Sequence, residues 1–491
     1  MKVVSFITCV ASQRQPPAIR IGCATKLLAL LLLLLLLTLP AVVQAQFTYT
    51  TNNGAITITK YTGSGGAVTI PNTTNGLPVT SIGDYAFART TSLTSVTIPG
   101  SVTHIGTRAF AVCFSLTAII MAPANSYYSS LNGTLFNANQ TTLIQCPGGI
   151  VGTYTIPGSV TQIGDAALAG CFGLTAIAVN ATNASFRSVD GVLFNTNQAT
   201  LVQCPGGRAG SYAITNTVTN IGDSAFGGCI SLTNITIPAS VTRIGNEAFS
   251  DCTGLTNISI PGSVTNFGSG AFAGCSGLIS VTISNGVTNI GNWAFNSCTN
   301  LTSIPIPGSV TSIGDGAFER TRLTSIMIPA SVTSIGDEAF FYCTRLSNVT
   351  IGESVTNIGS SAFAACTSLR GVYFQGNAPS ADSTVFANDN NPTVYYLPGT
   401  TGWGETFSGR PTVLWNPQVQ TSGATFGVRT NRFGFTITGS SNLVIVVEAC
   451  TDLANPTWSP VATNTLTSGS SYFSDPQWTK YPARLYRIRS P

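Results

Sequence analysis

From Leu255 the chain reads L-T-N-I-S-I-P-G-S-V-T-N-F-G-S-G-A-F-A-G-C-S-G before the pattern restarts at Leu278. The spacing of Leu255, Ile258 and Ile260 predicts a short strand with three side chains inward and Thr256, Asn257 and Ser259 outward. Pro261-Gly262 ends that strand, because proline lacks a ladder donor and glycine tolerates the turn. A second apolar pair, Val264 and Phe267, returns the chain toward the core. The residue after the next glycine is polar in every copy: Asp84, Thr107, Asp165, Asp223, Asn246, Ser269, Asn292, Asp315, Asp337 and Ser360. All are good helix N-caps, so the pattern predicts a short helical turn that carries the following Ala-Phe pair inward.

The phrase Ile-Gly-x-x-Ala-Phe recurs ten times, with Leu168 for the final Phe in one copy and Phe267 for the Ile in another, and with its glycines at Gly83, Gly106, Gly164, Gly222, Gly245, Gly268, Gly291, Gly314, Gly336 and Gly359. The steps are 23, 58, 58, 23, 23, 23, 23, 22 and 23 residues. A fixed period of this length marks a solenoid, in which no unit buries its apolar face alone. The sequence therefore predicts a repeat solenoid at 81–375, with one strand and one helical turn per coil. An N-terminal β cap is predicted at 46–80, a C-terminal cap and linker at 376–417, and a small sandwich-like all-β domain at 418–491. Each 58-residue step holds an excess, at about 123–157 and 181–215. The excesses resemble each other around Asn137 to Gln140 and Asn195 to Gln198, and both continue with Gln-Cys-Pro-Gly-Gly, from Gln145 and from Gln203. Alternating apolar residues on either side of the Asn-rich tetrads predict β-hairpins added to the coils, on the face where repeat proteins vary their binding surface.

Charge changes this picture little. Only 8% of the chain is charged, and Lys2, Arg14, Arg20 and Lys26 all precede residue 46, where there is no acid. The remainder carries 21 − 4 = 17 basic and 17 acidic side chains, which argues against nucleic acid as a partner. The four early charges precede the apolar run Leu27 to Leu39 and the small-residue pattern Val43-Gln44-Ala45. That order predicts a secretory signal peptide at 1–45 with cleavage after Ala45, the alternative being an uncleaved anchor. No later run is apolar enough to predict a membrane span.

Export permits disulfides, and eight cysteines fall three residues after the phrase: Cys113, Cys171, Cys229, Cys252, Cys275, Cys298, Cys343 and Cys366. In-register residues on stacked coils have parallel Cβ vectors, so a ladder of small buried thiols is favoured over bridges. The single histidine, His104, falls in a variable outward slot, and no Walker loop or C-x-x-C clamp is present. No catalytic, cofactor or metal site is predicted.

The extended phrase I-G-x-x-A-F-x-x-C-x-x-L-x-x-I-x-I-P, as in Ile244 to Pro261, resembles the BspA-type leucine-rich repeat of bacterial surface proteins, over roughly residues 80 to 375. The resemblance implies an exported, curved solenoid acting in adhesion or protein recognition without catalysis. The best candidate partner-binding surface is the outward strand row: Thr233, Asn234, Thr236, Thr256, Asn257, Ser259, Thr302, Ser303, Thr324, Ser325, Ser347, Asn348 and Thr350. Its scarcity of Trp, Tyr and Arg predicts weak, multivalent contact with an extracellular protein or matrix ligand. Two alternatives are a self-associating envelope or matrix component, and glycan binding through the tail aromatics Trp458, Trp478, Tyr481 and Tyr486.

Overall fold

The computed structural model describes residues 46–439, 443–454 and 456–489, so the leader with its cleavage site at Ala45 lies outside the described residues. Each coil has three sides. A front strand such as Asn257–Ile260 pairs in parallel with the next coil's Ser280–Ile283, Ile258 opposite Val281. A short back strand such as Asn220–Ile221 pairs in parallel with Arg243–Ile244. The third side is a run of turns. The repeat solenoid and the all-β tail read from the sequence are both present.

The helical turn is replaced by consecutive β-turns. In the first coil Ala86 N–H donates to Gly83, Ala88 N–H to Tyr85 and Thr90 N–H to Phe87, while Tyr85 and Arg89 take positive φ. A helix would turn every N–H back on its own coil. Here the alternate ones point along the stack, as when Phe249 N–H donates to Ala271 and Phe272 N–H to Ala294. The polar column after the glycine therefore caps no helix. Its side chains accept from the next coil: Asp223 Oδ1 takes Asn246 N–H at 2.9 Å, Asn246 Oδ1 takes Ser269 N–H at 2.9 Å, and Asp337 Oδ1 takes Ser360 N–H at 2.7 Å. Asp and Asn suit both roles, because either needs a short side-chain acceptor.

Apolar columns fill the interior. Phe226, Phe249, Phe272, Phe295, Phe318, Phe340 and Phe363 stack at 4.9 to 5.6 Å between ring centroids, all within 15° of parallel. Cys252 and Cys275 thiols donate to the carbonyls of Phe226 and Phe249 one coil earlier, at 3.1 and 3.0 Å. The described cysteines are free and buried, and burial pushes the Cys113 thiol up to about 11, which leaves it unreactive near neutrality. Thr90 and Thr321 occupy the same slot, and the Thr321 hydroxyl meets Cys343 Sγ at 3.2 Å. The front row breaks at residues 301–307, where Pro305 has no N–H to give.

The two sequence excesses are built into the stack rather than onto its surface. Each adds three strands to the back row: Tyr128–Leu131, Thr134–Asn137 and Thr142–Gln145 in one, Phe186–Val189, Val192–Asn195 and Thr200–Gln203 in the other. The front row gains one strand each time, Val151–Ile156 and Gly210–Ala213. On the turn side, only Cys146 to Gly149 and Cys204 to Gly207 pass through. They run so close to their neighbours that a Cβ on Gly148 would lie 2.7 Å from the Cys113 carbonyl. The middle strands are septa. Leu135 packs into the apolar cluster of the preceding coils and Phe136 into that of the following ones, and Leu193 and Phe194 divide the interior again.

Both ends are covered. The antiparallel pair Phe47–Asn52 and Ala55–Tyr61 joins the back row at Leu77–Ile82, and Tyr61 stacks on Phe87 at 5.2 Å. At the far end Trp403 and Phe407 close over Phe374 at 4.8 and 5.3 Å. Asp389 takes the cysteine slot of the last coil, where its Oδ1 accepts Cys366 N–H at 2.6 Å and its Oδ2 is buried without a partner. The tail forms two small sheets around Phe435, Ile437, Leu443, Ile445, Val447, Leu466 and Phe473, and Tyr373 and Tyr395 of the last front strands join that cluster.

Two outcomes follow. Phe272→Ala removes a ring packed between two others and should cost about 3–5 kcal/mol, measured as a lower denaturant midpoint; a cost below about 1 kcal/mol would contradict the stacked interior. Burial raises the Asp389 carboxyl to about 7, with Cys366 N–H and Arg410 pulling it back only in part. The folded cap therefore favours the protonated acid, and its stability should fall as pH rises from about 4 to about 7. Asp389→Asn should flatten that dependence in thermal melts followed across the range.

Candidate functional site

Three back strands against one short passage on the turn side make each insertion a wedge. At roughly 4.8 Å per strand, two surplus strands lengthen the back by about 10 Å per insertion. The stack must bend toward its turn side, and side chains from distant coils meet there. Arg108 of the second coil lies 3.2 Å from Asp165 of the third, 3.4 Å from the Ser224 hydroxyl of the fourth and 2.6 Å from Glu247 of the fifth. Its side chain is 18% exposed. Burial opposes the Arg108 charge, but Glu247 and Asp165 outweigh it, so the guanidinium holds its proton more tightly than usual.

Beside this clasp lies a cleft of about 460 Å³. Its floor is small: Ala166, Ala169, Gly170, Gly227 and Gly228. Its walls are apolar, with Phe114 and Phe172 at 4.7 Å between ring centroids, and with Val112 and Ile230. Phe114 is 38% and Ile230 40% exposed, so both keep apolar surface open to solvent at the cleft. Arg89 of the first coil and Asp251 of the fifth stand at the mouth, and neither forms an ion pair within 4.0 Å among the described residues. Desolvation pushes the Asp251 carboxyl up, while Arg89 and Ser250 pull it down.

None of the cleft residues belongs to the predicted strand row, but they left a trace in the sequence. The slot after the cysteine holds Phe114, Phe172 and Ile230 in the three coils that flank the insertions, and Thr253, Ser276, Thr299, Thr344 and Thr367 elsewhere. Apolar residues stand where the bend brings that slot together.

In the predicted row, Thr233, Thr236, Thr256, Asn257, Ser259, Thr324 and Ser325 are exposed, and Asn234, Ser347 and Asn348 are half-buried. Thr302 and Ser303 are exposed but lie in the strandless stretch before Pro305. Thr350 does not face solvent. It is 2% exposed, because its register partner Tyr373 and the stacked Tyr395 carry the tail's apolar cluster across this end of the row.

The tail aromatics form no shared platform. Trp458 lies under Arg487 at 4.5 Å and Tyr481 under Arg484 at 4.4 Å. Trp478 Nε1 donates to the Asn431 carbonyl, and the Tyr486 hydroxyl donates to Asp475 at 2.8 Å. His104 is exposed in the back row opposite Ser81. Among the described residues no three His, Cys, Asp or Glu side chains are placed to hold a metal ion, and no helix is long and apolar enough to cross a membrane.

The family model for the BspA type leucine rich repeat region matches the chain in 6 copies, over residues 60–197, 209–321 and 265–395. No curated protein matches it. Similar solved structures include a leucine-rich repeat protein from Eubacterium ventriosum, at 25% identity and TM-score 0.46, covering 67% of this chain and 94% of that one. Another is a leucine-rich repeat protein from Bacteroides ovatus, at 27% identity, TM-score 0.34 and coverage of 68% and 94%. A third is a leucine rich cell surface protein from Faecalibacterium prausnitzii, at 26% identity, TM-score 0.31 and coverage of 68% and 94%.

Arg108→Met should leave Asp165 and Glu247 facing each other without their cation. The expected loss is about 2 kcal/mol, together with a larger radius of gyration in solution X-ray scattering as the bend relaxes. An unchanged scattering profile would contradict the clasp.

Proposed function

Because the chain belongs to the BspA-type leucine-rich repeat family, we propose that it is exported to the cell surface or the surrounding medium and recognises protein partners there, in adhesion or assembly. The observation that carries this reading is the cleft at the bend. Exposed Phe114, Val112 and Ile230 lie beside Arg89 and Asp251, and an apolar centre with a charged rim is how protein interfaces are composed. The leader ending at Ala45 supports export. The exposed Thr, Ser and Asn row of the front strands supplies a second, polar surface, with small hydroxyls that suit weak repeated contact along a matrix ligand. The four tail aromatics are each engaged within their own domain, which favours the solenoid over the tail as the recognition surface.

The intact exported chain, passed over a panel of secreted and matrix proteins by surface plasmon resonance, should bind at least one of them saturably. Phe114→Ala should weaken that binding about tenfold, the effect of losing one aromatic anchor, and His104→Ala should leave it unchanged. Absence of any partner, with concentration-dependent self-association in its place, would favour a structural matrix component instead.

A further inference from the structure

The charged side chains of the cleft differ in how far they are already engaged. Arg108 is saturated by Asp165, Ser224 and Glu247. Arg89 and Asp251 are not saturated. They come from the first and fifth coils, the two ends of the set of coils that lines the cleft, near enough for Arg89 to lower the Asp251 carboxyl yet without an ion pair. Between them the floor is Ala and Gly and the walls are Phe114, Phe172 and Ile230. An apolar trough lies between one positive and one negative post, both available to a visitor.

The enclosure decides what kind of visitor fits. Small-molecule sites bury roughly 70–90% of their ligand. Here the walls are themselves 36 to 40% exposed at Val112, Phe114 and Ile230, so the mouth is wide and the occupant must bring its own cover. That describes a side chain projecting from a larger body.

We propose, resting on the recognition reading above, that the cleft seats one large apolar side chain (Phe, Leu, Ile or Met) from an extended segment of a protein partner. An acidic residue of that segment meets Arg89 and a basic one meets Asp251. In an extended segment the residues that share a face are two apart. The matching pattern is therefore acidic-x-apolar-x-basic, read in either direction. An Ala at the apolar position leaves the Phe114 and Phe172 walls wet, and like charges at both ends place one of them against a post of its own sign.

The probes are blocked pentapeptides titrated against the full chain by heteronuclear NMR or calorimetry: Ac-Glu-Gly-Phe-Gly-Lys-amide, its Phe-to-Ala counterpart, and versions with two Glu or two Lys. The mixed-charge Phe peptide should bind at least tenfold tighter than the Ala peptide and severalfold tighter than either like-charged one. Arg89→Glu should move the preference to the peptide with two Lys. Ala169→Trp, which fills the floor, should abolish binding while circular dichroism and the melting temperature stay those of the parent. Equal affinity for the Phe and Ala peptides, or a charge preference that Arg89→Glu does not move, overturns the proposal. If the peptides fail while a panel protein still binds and Phe114→Ala still weakens it, the occupant is wrong and the recognition reading stands. If both fail, both fall.

Discussion

No coil of this protein is a folding unit. Leu255, Ile258, Ile260 and Phe272 are fully or almost fully buried, but what covers them is the corresponding residue one coil away. The backbone works the same way. N–H groups on the front, back and turn sides donate to the next or the previous coil, and the Asp and Asn side chains of the turn column add further bonds in the same direction. Stability in such an array is a sum of neighbour terms, so the ends are the weak points. The Tyr61 lid and the Trp403 and Phe407 plug are the response to that constraint.

The same constraint turns the insertions into a bend. An added strand cannot hang from a coil whose every side is paired, so it must enter the row and push the neighbours apart. Because three strands enter the back while Cys146 to Gly149 and Cys204 to Gly207 cross the turn side in a minimal path, the stack opens on one side and pinches on the other. The pinch brings together Arg108 and Glu247, which are 139 residues apart (247 − 108). The cleft is thus a consequence of where extra chain was accommodated, and its chemistry comes from the few side chains changed at the pinch.

What could be read from the sequence was whatever every coil repeats. The Ile, Phe and Leu columns, the outward Thr and Ser positions and the in-register thiols follow from a period that states the same packing rule ten times over. The turn column was legible as a column but not in its role. Asp223 has the right chemistry for a helix cap, and only the positive φ at the very next residue, Ser224, shows that its acceptor serves the next coil. Thr350 was misplaced because its cover comes from Tyr373, Tyr395 and the tail, which lie outside the period. The cleft was hidden for a related reason: its residues come from five coils, and they meet only if the insertions wedge the stack.

That wedge is the central claim, and proximity between the second and fifth coils is its most direct consequence. Arg108→Lys places a primary amine beside Glu247, within reach of a zero-length carbodiimide cross-link. Mass spectrometry of the digested monomer should then identify a peptide that joins the substituted lysine to Glu247, with a second product at Asp165. A digest in which that lysine is joined to neither would mean that the coils run on in a straight line past the insertions, and the bend, the clasp and the cleft would go with it.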